Sequence, residues 1–119
     1  MFINLSNHPS SEWSERQLAE AREYGDIIDI PFPAVSPWED EAYIASLSAD
    51  YLHDILSGYH PAQDVFHIMG EMCFSFSLVR KLQEKGFTCL ASTSERIVTE
   101  TSPGHKEVCF HFIRFRNYE

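Results

Sequence analysis

The stretch Phe2-Ile3-Asn4-Leu5-Ser6-Asn7-His8-Pro9-Ser10, followed by Ser14-Glu15-Arg16-Gln17, decides the fold. A short apolar run breaks into a dense polar turn, and the turn leads into a helix start, so the chain opens as strand, loop, helix. Ser14 and Gln17 have the spacing of a capping box, and Trp13 and Leu18 stand at the positions of a hydrophobic staple. Gly25 ends that helix.

Working outward, Ile27, Ile28 and Ile30 make a second strand, closed by Pro31-Phe32-Pro33 because proline cannot donate to a ladder. Ser36-Pro37-Trp38-Glu39 reads as another capping box with Trp38 packed at its start, and Ile44, Leu47, Leu52, Tyr51, Ile55 and Leu56 give the long helix an apolar stripe up to Gly58. Residues 65–69 form a third strand, Gly70-Glu71 a turn, and residues 72–85 a helix with Gly86 as its cap. Residues 87–91 are a fourth strand and 92–96 a polar loop. Residues 97–100 and 108–115 read as a hairpin around Ser102-Pro103-Gly104-His105. Strands that alternate with helices pair in parallel through right-handed crossovers. The expectation is therefore a single domain over residues 1–119: an α/β, Rossmann-like, mostly parallel sheet with helices on both faces and a C-terminal antiparallel β-hairpin. Both alternating faces of residues 109–115 carry apolar side chains, which predicts a last strand covered on both sides and suggests a homodimer contact.

Composition bounds the function. A chain of 119 residues, 44% hydrophobic, holds one packed core. Its longest apolar runs fall far short of the roughly 20 residues of a membrane span, and it opens without a signal-peptide pattern, so a cytoplasmic protein with no membrane partner is expected. Cys73, Cys89 and Cys109 are too few and too widely spaced for a disulfide framework or a metal clip. A net charge of −9 argues against binding duplex nucleic acid. The charge is uneven, however. Residues 1–61 hold eleven acids against Arg16 and Arg22, whereas residues 62–119 hold seven acids and seven bases, which leaves room for a local anion site in the second half.

In open parallel sheets ligands bind beyond the carboxyl ends of the strands, where the strand order reverses. An order of 2-1-3-4 puts that crevice between the first and third strands, flanked by Ser6-Asn7-His8 and Gly70-Glu71, with the fourth loop, Ser92 to Arg96, beside them. Helix-start amides and a guanidinium suit a phosphate. No Gly-x-Gly-x-x-Gly or Walker lysine loop is present to specify a dinucleotide or nucleoside triphosphate. The bland reading weighs equally: Ser6-Asn7 as a side-chain-bonded turn, His8 as a solvated loop residue, Thr93 to Arg96 as a tight turn with a surface ion pair. His53, His60, His67, His105 and His111 lack metal-ligand spacing, and His67 and His111 read as satisfied sheet residues. No metal and no cofactor are expected.

Ile3-Asn4-Leu5-Ser6-Asn7-His8-Pro9, with a polar helix start at Gln17, resembles the first-strand motif of small stand-alone CRISPR-associated proteins allied to the CARF superfamily. The match covers about the first twenty residues, and the Asn7-His8 step departs from relatives that carry Ser-His directly. The resemblance implies a CARF-like domain that binds cyclic oligoadenylate second messengers, and a ring nuclease that cleaves them without metal as a homodimer. On that basis His8 is the candidate general base or acid, Arg96 the phosphate stabiliser and Glu71 an alternative proton acceptor. Ser6, Asn7, Ser10, Gly70, Thr93 and Ser94 are the positioning groups. A non-catalytic cyclic nucleotide sensor and a protein-interaction module are the alternatives.

Overall fold

The computed structural model describes residues 1–119. Its five strands are β1 (Phe2–Ser6), β2 (Ile27–Asp29), β3 (Val65–Met69), β4 (Thr88–Ser102) and β5 (His105–Asn117), ordered β2-β1-β3-β4-β5 in one sheet. The first four are parallel to one another, and β5 returns antiparallel to β4. The Rossmann-like α/β layout and the hairpin are thus as the sequence indicates. No helix is long and apolar enough to cross a membrane.

The two faces of the sheet are covered unequally. On one face lie α2 (Glu41–Gly58) and α3 (Met72–Glu84), which pack Ile55, Phe74, Leu78 and Leu82 onto Ile3, Leu5, Phe66 and Ile68. On the other lies α1 (Glu15–Arg22), only eight residues long, with a 3-10 turn at Ser10–Glu12 before it. Successive side chains in a strand point to opposite faces, so Phe2, Asn4 and Ser6 of β1 share this second face with Val65 and His67 of β3 and Leu90 of β4. At its amino-terminal end the face is apolar, a cluster of Phe2, Ala21, Leu90, Phe112 and Phe115. Toward the carboxyl ends of the strands it turns polar, at Asn4, Ser6 and His67, beside the start of α1.

Three sequence expectations are corrected. The long helix starts at Glu41, capped by Asp40, whose side chain accepts from Tyr43 N at 3.1 Å. Aspartate caps as well as serine does, and the later start leaves Ser36-Glu39 as a turn with Trp38 93% exposed. Residues 92–96 are not a loop. They continue β4, because β5 supplies a ladder partner for each through Ser92↔Phe115, Thr93↔Arg114 and Arg96↔Phe110, with a register shift between Thr93 and Ser94. Finally, β5 is bare along most of its length. Only Phe112 and Phe115 are buried, and Phe110 is 69% exposed, because the hairpin outruns the helices that would cover it.

Candidate functional site

The polar end of the α1 face is a connected hydrogen-bond network. Parallel register sets Asn4 beside both Asp29 and His67. Asn4 Nδ2 donates to Asp29 Oδ1 at 2.8 Å and to the His8 carbonyl at 2.9 Å. A carboxylate only accepts, so the amide is oriented by Asp29 and turns its oxygen inward. There Asn4 Oδ1 accepts from Ser6 Oγ at 2.7 Å and lies 2.9 Å from His67 Nδ1. Ser10 completes the outer side, with its hydroxyl 2.6 Å and its amide 3.1 Å from the Asp29 carboxylate.

His67 is 2% exposed. Its ring stacks on Phe2 and meets Trp13 and Phe115 edge-on, with centroids 5.3 to 5.9 Å apart. Burial pushes its pKa down to about 4, and the neighbouring His8 adds to the effect, so the ring is neutral. Because Nδ1 must donate to Asn4, Nε2 carries the lone pair, and it lies 3.2 Å from Ser92 Oγ. Burial works to raise the Asp29 carboxyl, but hydrogen bonds from Ser10 and Asn4 outweigh it and hold the group below its usual range.

Above the network opens a groove of about 1200 Å³, at the switch between β1 and β3. Ser6, Asn7 and His8 line it after β1, Met69 and Gly70 after β3, and Ser92, Ser94 and Glu95 along β4. The start of α1 closes one side with Trp13, Ser14, Arg16 and Gln17, while Ile97, Phe110, His111 and Ile113 of the hairpin close the other. Arg16 spans the gap: its Nη2 donates to the Ile113 carbonyl at 2.9 Å, with Glu20 3.8 Å from its Nε.

The sequence candidates separate into two groups. Ser6, Asn7, His8, Gly70 and Ser94 line the groove. Ser10 is bonded to Asp29, Thr93 Oγ1 donates to the Arg114 carbonyl at 3.1 Å, and Arg96 pairs opposite Phe110 outside the groove lining. Glu71 caps α3: its carboxylate accepts from Phe74 N at 2.7 Å and Cys73 N at 2.9 Å. The Phe74 amide foremost holds that carboxyl below its usual range. Sequence reasoning gave no role to Asn4, Asp29 or Arg16, read His67 as a satisfied sheet residue, which it is, and placed Ser92 only at the start of the polar stretch beside the crevice. The signal for two of them was a polar residue at an inward position of a strand, at Asn4 and His67, which burial demands be satisfied, whereas Asp29 is exposed at the end of β2. No group of three or more His, Cys, Asp or Glu side chains is placed to hold a metal ion.

Residues 1–116 match the family described as uncharacterized protein MJ1673 family. The chain belongs to that family. No curated protein and no solved structure matches it. Since the MJ1673 match runs through residue 116, it takes in the groove and the network beneath it, from Asn4 to the last residues of the hairpin.

Proposed function

We propose that the groove binds a cyclic oligoadenylate and opens the ring without a metal, by attack of a ribose 2′-hydroxyl on its own 3′-phosphodiester. The observation that carries this reading is the convergence of Ser6-Asn7-His8, Gly70, Ser92 and Ser94 on one groove at the strand-order switch, the position where such sheets take nucleotides. Its volume exceeds the roughly 300 to 1000 Å³ of ordinary small-molecule pockets and suits a segment of an oligonucleotide ring. In the reaction a 2′-O–P bond forms as the P–O5′ bond breaks. The 2′ proton leaves to a base, and the 5′ oxygen takes a proton as it departs.

His8, exposed on the groove rim, is the proton carrier. Arg16 is the groove's guanidinium, with N–H donors beyond the one given to Ile113, and it takes the phosphate role that the sequence suggested for Arg96. Asn7 and Ser94 position the ring. A homodimer brings two grooves to a two-fold ligand, and the bare apolar residues of β5, an edge strand, supply the contact.

Incubation with cyclic tri-, tetra- and hexa-adenylate in EDTA, resolved by chromatography, tests the proposal. Linear products are expected from at least one ring, and His8→Ala is expected to slow turnover by about 10²-fold or more while binding persists. Binding without turnover would make the protein a sensor. Absence of both would overturn the reading.

A further inference from the structure

The direction of the buried hydrogen-bond chain has a consequence at the groove surface. Asp29 fixes the Asn4 amide, Asn4 Oδ1 fixes the proton on His67 Nδ1, and the His67 Nε2 lone pair then faces Ser92 Oγ at 3.2 Å. Ser92 Oγ also lies 3.0 Å from Met69 Sδ, but a thioether is a weak acceptor and the imidazole nitrogen takes the single hydroxyl proton. The serine oxygen is thereby left with its lone pairs for the groove that it lines. A hydroxyl held this way accepts and does not donate. It disfavours a phosphate oxygen and selects a donor.

We infer that Ser92 reads the 2′-hydroxyl of a ribose, with His67 as the positioning residue that keeps the serine an acceptor. This rests on the reading of the groove as a cyclic ribonucleotide site and names the contact that makes it ribose-specific. The 2′-hydroxyl is favoured over the adenine amine because it neighbours the phosphate in the ligand, as Ser92 neighbours the Ser6-to-His8 turn through the shared network. The 2′-hydroxyl is also the group by which a protein tells RNA from DNA.

Two measurements test it. The first needs no ligand. Nitrogen-15 spectra of the protein at neutral pH are expected to show His67 neutral with its proton on Nδ1, and a proton on Nε2 would overturn the inference. The second compares binding of cyclic tri-, tetra- and hexa-adenylate with rings carrying 2′-hydrogen. An unmet buried partner costs enough that the ribose ring should bind about 10- to 100-fold more tightly. Ser92→Ala and His67→Gln should bring the two rings near parity, and Ser92→Thr, which retains the hydroxyl, should restore the preference. Equal binding of both rings by the natural protein would overturn the Ser92 assignment and leave the groove reading standing. Failure of every ring to bind would overturn both. Inosine rings serve as the amine control: a preference lost there and kept with 2′-hydrogen would overturn the assignment in favour of the base.

Discussion

His67 takes its ring out of water between Phe2, Trp13 and Phe115, and that placement sets a pH dependence for the whole fold. Its folded pKa, about 4, lies below the ordinary 6.5. Between those values the unfolded chain binds the proton that the folded chain refuses, so stability is full above about pH 6.5 and falls as pH drops toward 4. The gap corresponds to roughly 3 kcal/mol. Urea melts from pH 7 to 4 should show that loss, and His67→Gln should flatten it. Asp29 is distinguishable, because a carboxyl held low releases its stabilisation only below its ordinary value of 3.8. The amide between them is the more demanding residue. Asn4→Ala leaves the Asp29 carboxylate short of a donor and the His67 N–H short of an acceptor, and an unmet buried partner costs about 1 to 3 kcal/mol. A loss at the upper end of that range is expected in denaturant titrations, larger than for Ser6→Ala.

At the scale of elements, Glu71 shows how a carboxylate can be placed for structure where chemistry was expected. Bonded to two amides of the first turn of α3, it acts as that helix's cap. Glu71→Ala should cost about 1 kcal/mol in a thermal or urea melt. It should leave turnover of a bound ring within a few-fold of the natural protein, whereas a proton-transfer role predicts a loss of 10²-fold or more. The order of elements was legible because apolar runs, glycines and capping serines punctuate this chain at short intervals, and Ser14 accepting from Gln17 N at 3.2 Å is the capping signal read literally. The extent of β4 was not legible. Ser92-Thr93-Ser94-Glu95-Arg96 has loop composition, and only the partner strand, thirteen residues long, holds it extended. The site was half legible. Ser6, Asn7 and His8 announce a polar turn, whereas the link from Asn4 to His67 spans 63 residues and depends on a register that no local pattern carries.

For the molecule as a whole, the exposed hairpin is the feature left without a partner in the single chain. Phe110 is 69% exposed, and Val108 and Val98 stand opposite each other at 43% and 44%. Apolar contacts of this kind on an edge strand mark association sites. Light scattering at micromolar concentration should report a dimer, and Phe110→Glu should shift it to a monomer while circular dichroism stays unchanged. A monomeric natural protein would contradict the proposed two-fold arrangement. The pairing of β1 with β3 carries one more consequence, in the order of events by which the chain acquires its shape. β4 and β5 are neighbours in sequence and can zip from the turn at Gly104, but β1, which finds the short strand β2 first, must wait for its other partner, a segment more than sixty residues away. Closing so long a loop is the slow part of assembly. On a ribosome, the first strand to emerge therefore has only the short edge strand Ile27–Asp29 beside it until Val65–Met69 follows, and the buried contact from Asn4 to His67 becomes a record that this late closure has found its register.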